Sequence, residues 1–317
     1  MKSMSDTRVS VIIPVYNQAP YLAECLDSVL AQTLHEIEVV CVDDGSTDGS
    51  GKMLDEYAVR DSRVKVIHQK NAGAGPARNA GMDAAQGEFI AFMDPDDKYP
   101  DDCVLADLVS GAEENGVDVC GGSLLMLDGR SLEPCFTFDA DGVVDYADYQ
   151  FEYGYTRYIY SRRLLAGSAI RFPDLVRFQD VPFCIEALHA AGRFCALKRV
   201  VYLYRDGHHA VEWSANGGRK AIAHVAGLVT AFDIARRYGY ERMAERLKGR
   251  LLEFVALLCS ESNGLRADLE ITRSHRDSFL AELEDVKSSE SYRLGKALTW
   301  PLRKIKNLME GERCLSL

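Results

Sequence analysis

FIAFMDPDDKY, residues 89–99, joins an apolar run to three carboxylates in four positions, Asp94, Asp96 and Asp97. Residues 89–93 have the length and composition of a strand buried on both faces. Like charges this close repel, and each is costly to strip of water. The cluster either stays in open water as a loop or is joined by something positive. Two earlier stretches share the plan. Residues 9–15, VSVIIPV, are almost continuously apolar and β-branched, and Tyr16 and Asn17 follow them. Residues 37–42 form a second such run, which ends in Asp43-Asp44-Gly45-Ser46.

Helical patterns separate these strands. Pro20 opens a helix whose apolar face is Leu22, Cys25, Leu26, Val29 and Leu30. Ser46, Thr47 and Asp48 are candidate N-caps for a helix that buries Met53, Leu54 and Tyr57. Residues 64–67 read as a third strand, and Gly75-Pro76 starts another helix. Val104, Leu105, Leu108, Val109 and Ala112 mark the next one. The order βαβαβαβ predicts an α/β fold with a mixed, mostly parallel sheet flanked by helices. Beyond residue 119 the pattern loosens into shorter, partly antiparallel strands. A helix is expected at 180–191, closed by Gly192, and a strand at 200–204.

After Trp213 no strand pattern remains, and 218–260 and 264–289 read as helices. The expected organisation is a main α/β domain at 1–212, a helical region at 213–289 and a basic amphipathic tail at 290–317. Within that tail, residues 291–309 carry five basic residues and no acid, with Trp300 and several leucines. Such a segment can lie on an anionic bilayer, or it can dock as a terminal helix with a solvated basic face.

The chain has 317 residues and a net charge of −11, which argues against a broad nucleic-acid surface. Its nine cysteines form no C-x-x-C pair and several lie in apolar runs, as expected for buried thiols in a reducing cytosol. The first ten residues, MKSMSDTRVS, hold no apolar run of the signal-peptide kind. No stretch reaches the roughly 18 apolar residues of a membrane span. A cytoplasmic location is expected, peripheral to the inner face of the cytoplasmic membrane if the tail binds lipid.

In an open parallel sheet, ligands bind at the carboxyl ends of the strands. PVYN (14–17), VDDGS (42–46) and MDPDD (93–97) would converge on one such edge. A carboxylate such as Asp43 or Asp44 only accepts hydrogen bonds, which suits the imide N–H of uracil or the hydroxyls of ribose. One of the two can equally cap the following helix. Asp94 and Asp96, one residue apart, can address a hard divalent cation whose other positions go to phosphate oxygens and water. NAGAGPARN (71–79) starts a helix that could meet phosphate, but Arg78 stands where a dinucleotide fingerprint requires its third glycine. Arg78 either contacts the nucleotide or stabilises the loop.

Taken together and in order, VSVIIPVYNQAPYLAECLDSVLAQT, EVVCVDDGSTDGS and NAGAGPARNAGMDAAQGEFIAFMDPDD resemble the family 2 glycosyltransferases, which have the Rossmann-like GT-A fold. The match is close over residues 8–115 and looser to about 210. The resemblance implies that Pro14, Val15, Tyr16, Asn17 and Asp44 hold the nucleotide, usually uridine. It implies that Asp94 and Asp96 bind Mn2+ or Mg2+ on the donor diphosphate, with Asp96 the direct ligand. The family's Glu-Asp motif reads Gln179-Asp180 here, which keeps the aspartate as catalytic base. Arg205 and His208, in YRDGH, resemble a segment that closes over the diphosphate.

The implied reaction is inverting transfer of a sugar from a nucleotide-sugar donor, a UDP-sugar first, to a hydroxyl of a glycan or lipid-linked acceptor in cell-surface polysaccharide synthesis. Tyr153, Tyr155, Arg157 and Tyr160 are expected to offer acceptor contacts. A haloacid-dehalogenase-like phosphohydrolase also places D-x-D after an apolar strand, but it would leave PVYN and VDDGS unexplained. A non-catalytic sugar-nucleotide-binding protein is the third reading, which the presence of Asp180 disfavours.

Overall fold

The computed structural model describes residues 7–127, 132–205 and 217–261. The chain divides into two compact units, Met1–Val211 and Glu212–Leu317. In chain order the first unit holds β1 (Val9–Val15), α1 (Ala19–Leu30), β2 (Ile37–Asp43), α2 (Ser50–Arg60), β3 (Val64–His68), α3 (Ala74–Ala84), β4 (Phe89–Phe92) and α4 (Val104–Glu114). There follow β5 (Val119–Leu127), β6 (Leu132–Phe136), β7 (Gly142–Asp145), α5 (Tyr146–Tyr149), β8 (Tyr158–Ser161), α6 (Arg162–Gly167), α7 (Asp180–Ala191) and β9 (Arg193–Arg205).

One sheet runs in the order β3-β2-β1-β4-β8-β5-β9-β7, with β6 paired to β5. β1 pairs in parallel with β2 on one side and β4 on the other. The chain therefore moves outward from β1 through β2 and β3, then returns across β1 to lay down β4. That reversal is the topological switch point, where the loops after β1 and β4 part and leave a crevice. β8 is antiparallel to both β4 and β5, while β5 and β9 run in parallel.

The core explains the apolar runs. Val9, Val11, Ile13 and Val15 share a cluster with Leu22, Cys25, Leu26 and Val29 of α1 and with Val104, Leu105 and Leu108 of α4. Strand periodicity sends Ile12 to the opposite face, where Gly81 of α3 closes on it. A Cβ at Gly81 would stand 2.4 Å from Ile12 Cγ2, so α3 approaches the sheet only because residue 81 has no side chain.

Three local expectations are corrected. α2 is preceded by Gly49, in the left-handed region at φ 97°, and of the three candidates only Asp48 serves the helix start, its Oδ1 accepting the Ser50 N–H at 3.0 Å, while Ser46 and Thr47 do not cap it. β9 is longer than 200–204, because the Lys198-Arg199 pair that interrupts its apolar pattern falls where its pairing with β5 shifts register. In the second unit the expected helix at 218–260 is two, α8 (Gly217–Arg237) and α9 (Glu241–Glu261), which pack on each other. Gly239, at φ 73°, ends α8, and the Tyr240 N–H returns to the Ala235 carbonyl at 2.9 Å. The expected helix at 264–289 and the basic tail lie outside the described residues.

Candidate active site at the sheet rim

The loops after β1 and β2 are joined at the carboxyl edge. The Asn17 N–H donates to Ser46 Oγ (3.1 Å), and the Thr47 N–H donates to Asn17 Oδ1 (2.8 Å). Ser46 and Thr47 therefore brace Asn17, itself at φ 53°, rather than cap α2. Pro14 and Val15 are buried in β1, and the Val15 carbonyl accepts the Asp44 N–H at 2.8 Å. Tyr16 is 48% exposed and projects from the rim.

Asp44 is buried and organises the next loop. Its Oδ1 accepts from Gln69 Nε2 and the Ala72 N–H, and its Oδ2 accepts from the Gly73 N–H, each at 2.8 Å. Three of the about four acceptor positions of a carboxylate are thus taken within the fold. Gly73 has φ 98°, a conformation that points its N–H at Asp44 and that a side chain would strain. Gln69, outside every sequence motif, is a positioning contact that only the folded chain reveals.

Asp43 faces the other way. It accepts the Ser46 N–H at 3.0 Å and meets His68 Nδ1 at 2.9 Å, while His68 Nε2 meets Asp55 of α2 at 3.0 Å. An imidazole can donate from both nitrogens only when protonated. Asp43 first, then Asp55, raises the pKa of His68 above its ordinary value. Because the folded pKa is raised, the stabilisation is complete below the unfolded value of about 6.5 and is lost as pH rises through the folded one. His68→Gln is therefore expected to lower Tm more at pH 6 than at pH 9. An equal loss at both pH values in parallel thermal melts would contradict the doubly donating ring.

Asp94, Asp96 and Asp97 occupy distinct settings. Asp94 Oδ1 accepts from Arg78 Nη2 (2.7 Å) and from the Tyr155 hydroxyl (3.1 Å). Asp97 is buried, and it accepts from the Tyr202 hydroxyl (2.7 Å) and the Arg205 N–H (2.6 Å). Burial, reinforced by the charges of Asp94 and Asp96, pushes the Asp97 carboxyl up to about 8. Asp97 thus fastens the acidic loop to the end of β9, while Asp96 remains partly exposed between its neighbours.

Arg78 is the hub. It is buried, and the rings of Tyr155 and Phe172 lie 5.1 and 5.3 Å from its Cζ. Its neighbour Asn79 grips the backbone of Phe172, with Nδ2 donating to the carbonyl (2.8 Å) and Oδ1 accepting the N–H (3.0 Å). Arg78 therefore reaches the acidic loop while Asn79 fixes the segment that leads into α7. Asp180 lies in the first turn of α7, where the helix dipole and the backbone N–H groups of residues 180 and 181 favour a carboxylate.

The Asp180 carboxyl is only partly covered at the surface, yet it is packed deeply enough that burial raises its pKa; Arg78 opposes that rise and Asp94 adds to it. Arg78, Asp94 and Asp180 thus share one electrostatic environment. Gln179 packs beside Gly75, where a Cβ would be 3.4 Å from Gln179 Cγ.

Some expected contacts fall elsewhere. Tyr155, Arg157 and Tyr160 are buried and cannot present themselves to an acceptor at the surface. Arg157 donates to the hydroxyls of Tyr149 (2.6 Å) and Tyr158 (2.8 Å) inside a box of aromatic rings. Arg205 is at the rim, with Nε donating to the Asp96 carbonyl at 2.9 Å. His208 lies outside the described residues.

The profile described as Glycosyl transferase family 2 matches residues 10–131. The succinoglycan biosynthesis protein ExoO of Rhizobium meliloti (strain 1021) is 30% identical over 260 residues, covering 76% of this chain and 72% of ExoO. The chain belongs to glycosyltransferase family 2. The uncharacterized glycosyltransferase EpsJ of Bacillus subtilis (strain 168) is 37% identical over 211 residues, and the match spans 62% of this chain and 61% of EpsJ. Residues 1–349 of S. aureus TarS, solved in complex with UDP, superpose with a TM-score of 0.68 at 22% identity, over 96% of this chain and 89% of that one. The fold is GT-A. No helix among the described residues is long and apolar enough to cross a membrane.

Proposed function

We propose that the protein is an inverting glycosyltransferase that uses a nucleotide-diphosphate sugar, first a UDP-sugar, and a hydroxyl of a glycan or lipid-linked acceptor in polysaccharide synthesis. The observation that carries this reading is the common environment of Asp94, Arg78 and Asp180 beside the switch point of the sheet. Structures of TarS contain UDP and UDP-GlcNAc, and a related mannosyltransferase structure contains GDP-Man and Mn2+. ExoO and a poly(ribitol-phosphate) beta-glucosyltransferase among the relatives support a polysaccharide product.

Tyr16, Asn17 and the Asp44-braced loop would seat the nucleoside, with Pro14 and Val15 acting through the strand end. Asp94 and Asp96 would hold Mn2+ or Mg2+. The residues fit a cation: Asp94 and Asp96 stand one residue apart at the rim, and their charges help raise the pKa of Asp97 beside them. A bound divalent ion supplies charge stabilisation to a departing diphosphate without proton transfer.

Asp180 takes the proton of the acceptor hydroxyl as that oxygen bonds to the anomeric carbon. The bond from that carbon to the phosphate oxygen breaks at the same time, and its electron pair leaves with the nucleoside diphosphate. One displacement inverts the centre and needs no enzyme nucleophile. Arg78 favours the ionised form of Asp180 and holds Asp94, while Arg205 would meet the diphosphate.

A panel of UDP-, GDP- and dTDP-sugars, scored by thermal shift and slow hydrolysis with and without Mn2+, tests the reading. At least one donor should stabilise the protein, and more so with metal. If none did so and simple phosphate esters were hydrolysed instead, the transferase reading would be wrong.

A further inference from the structure

We propose that Glu24 is a positioning residue that holds the Arg205 guanidinium at the acidic loop, preset for the diphosphate of the donor; this rests on the donor reading above. Glu24 belongs to no motif and projects from α1. Its Oε2 accepts from Arg205 Nη2 at 2.5 Å, and its Oε1 pairs with Lys98 Nζ. Both cations flank the Asp94–Asp97 turn. The Arg205 N–H is on Asp97, its Nε is on the Asp96 carbonyl, and the backbone of Lys98 bridges to Leu203 of β9. Glu24 is therefore a third point of attachment that fixes the outer end of Arg205.

Tyr21, one turn earlier on the same helix face, places its ring 5.1 Å from Arg205 Cζ. Helix α1 thus supplies both a floor and a lateral stop for one guanidinium. Lys98 first, then Arg205, holds the Glu24 carboxyl below its ordinary pKa, so it is ionised at neutral pH.

Stability accounts for only part of the arrangement, since Glu24 is open to solvent although Arg205 is largely covered. Exposed ion pairs contribute roughly 0–1 kcal/mol, and Glu24 is about half exposed, at 48% for its side chain. Pre-ordering accounts for the rest. A long, rotamer-rich side chain costs about 0.5–1.5 kcal/mol to immobilise on binding, a cost absent when it is already held. Arg205 is suited to this, since a planar fork fixed at one end still offers phosphate its remaining donors.

The test is isothermal titration of UDP, GDP or dTDP, whichever binds wild type most tightly, in Mn2+, to wild type, Glu24→Gln, Arg205→Gln and the double variant. Glu24→Gln should weaken the nucleoside diphosphate about fivefold, the scale of one side chain newly ordered on binding. Arg205→Gln should weaken it about tenfold or more. The double variant should match Arg205→Gln alone, because Glu24 acts only through Arg205. Affinity for the matching nucleoside, which lacks phosphates, should be unchanged in Glu24→Gln.

Failure of UDP, GDP and dTDP alike to bind wild type would overturn the donor reading itself, whereas an Arg205→Gln protein of unchanged affinity would take Arg205 off the diphosphate and end the role of Glu24 with it. If Arg205→Gln weakens binding but Glu24→Gln does not, or if the two effects add, the positioning role of Glu24 is wrong. Equal weakening of nucleoside and nucleotide would likewise reduce Glu24 to general support of the fold and contradict the proposal.

Discussion

Asp180→Asn is expected to lower sugar transfer by a factor of about 10² or more while donor binding is kept. The amide matches the carboxyl in size and can remain in the first turn of α7, but it cannot accept a proton from the acceptor. Folding should not suffer, because burial already penalises the charged carboxylate at this position. Donor titration and single-turnover transfer, measured side by side, separate the two effects. In wild type the acid limb of the transfer rate should lie above the ordinary carboxylate range, the direction in which burial moves Asp180. Normal transfer by Asp180→Asn would remove it as the base.

Arg78→Met should have the largest effect on stability. Removing one partner of a buried ion pair leaves the other uncompensated, at a cost of roughly 3–5 kcal/mol. Asp94 keeps 24% side-chain exposure, so water recovers part of the loss and the lower end applies. About 3 kcal/mol corresponds to a fall in Tm of roughly 6–12 °C in a domain near 200 residues. Activity should change in a second way. Arg78 is the cation that opposes the upward shift of Asp180, so its removal should move the acid limb to higher pH. Thermal melts and a pH–rate profile read these separately. A variant with wild-type Tm and an unmoved acid limb would show that Arg78 is not the hub.

The polar strand ends at the rim, the acidic loop among them, were legible in sequence for a physical reason. Buried parallel strands write themselves as apolar runs, and polar residues at their carboxyl ends stand out against those runs. VSVIIPV followed by Tyr16 and Asn17 is one case. What escaped depends on contacts distant in the chain. Tyr202 serves the loop of Asp97 from 105 positions away, and Asn79 holds Phe172 across 93.

Tyr155, Arg157 and Tyr160 misled because an irregular, aromatic-rich stretch with an arginine resembles a sugar-contacting surface. They lie instead in a 3-10 turn and in β8, and β8 is a central strand between β4 and β5. The charge of Arg157 is accommodated there by hydroxyls and ring faces, an arrangement that periodicity does not signal. Likewise Ser46 and Thr47, ordinary capping residues by type, turn toward Asn17.

The most direct measurement is a crystal structure of the protein with Mn2+ and a non-hydrolysable analogue of the donor chosen by the nucleotide-sugar panel. The account predicts the cation on the Asp96 carboxylate at about 2.0–2.6 Å, shared with the diphosphate. It also predicts the Asp180 carboxyl on the face of the anomeric carbon opposite the leaving oxygen. A nucleotide seated away from the ends of β1 and β4, or an Asp180 turned from the sugar, would contradict it.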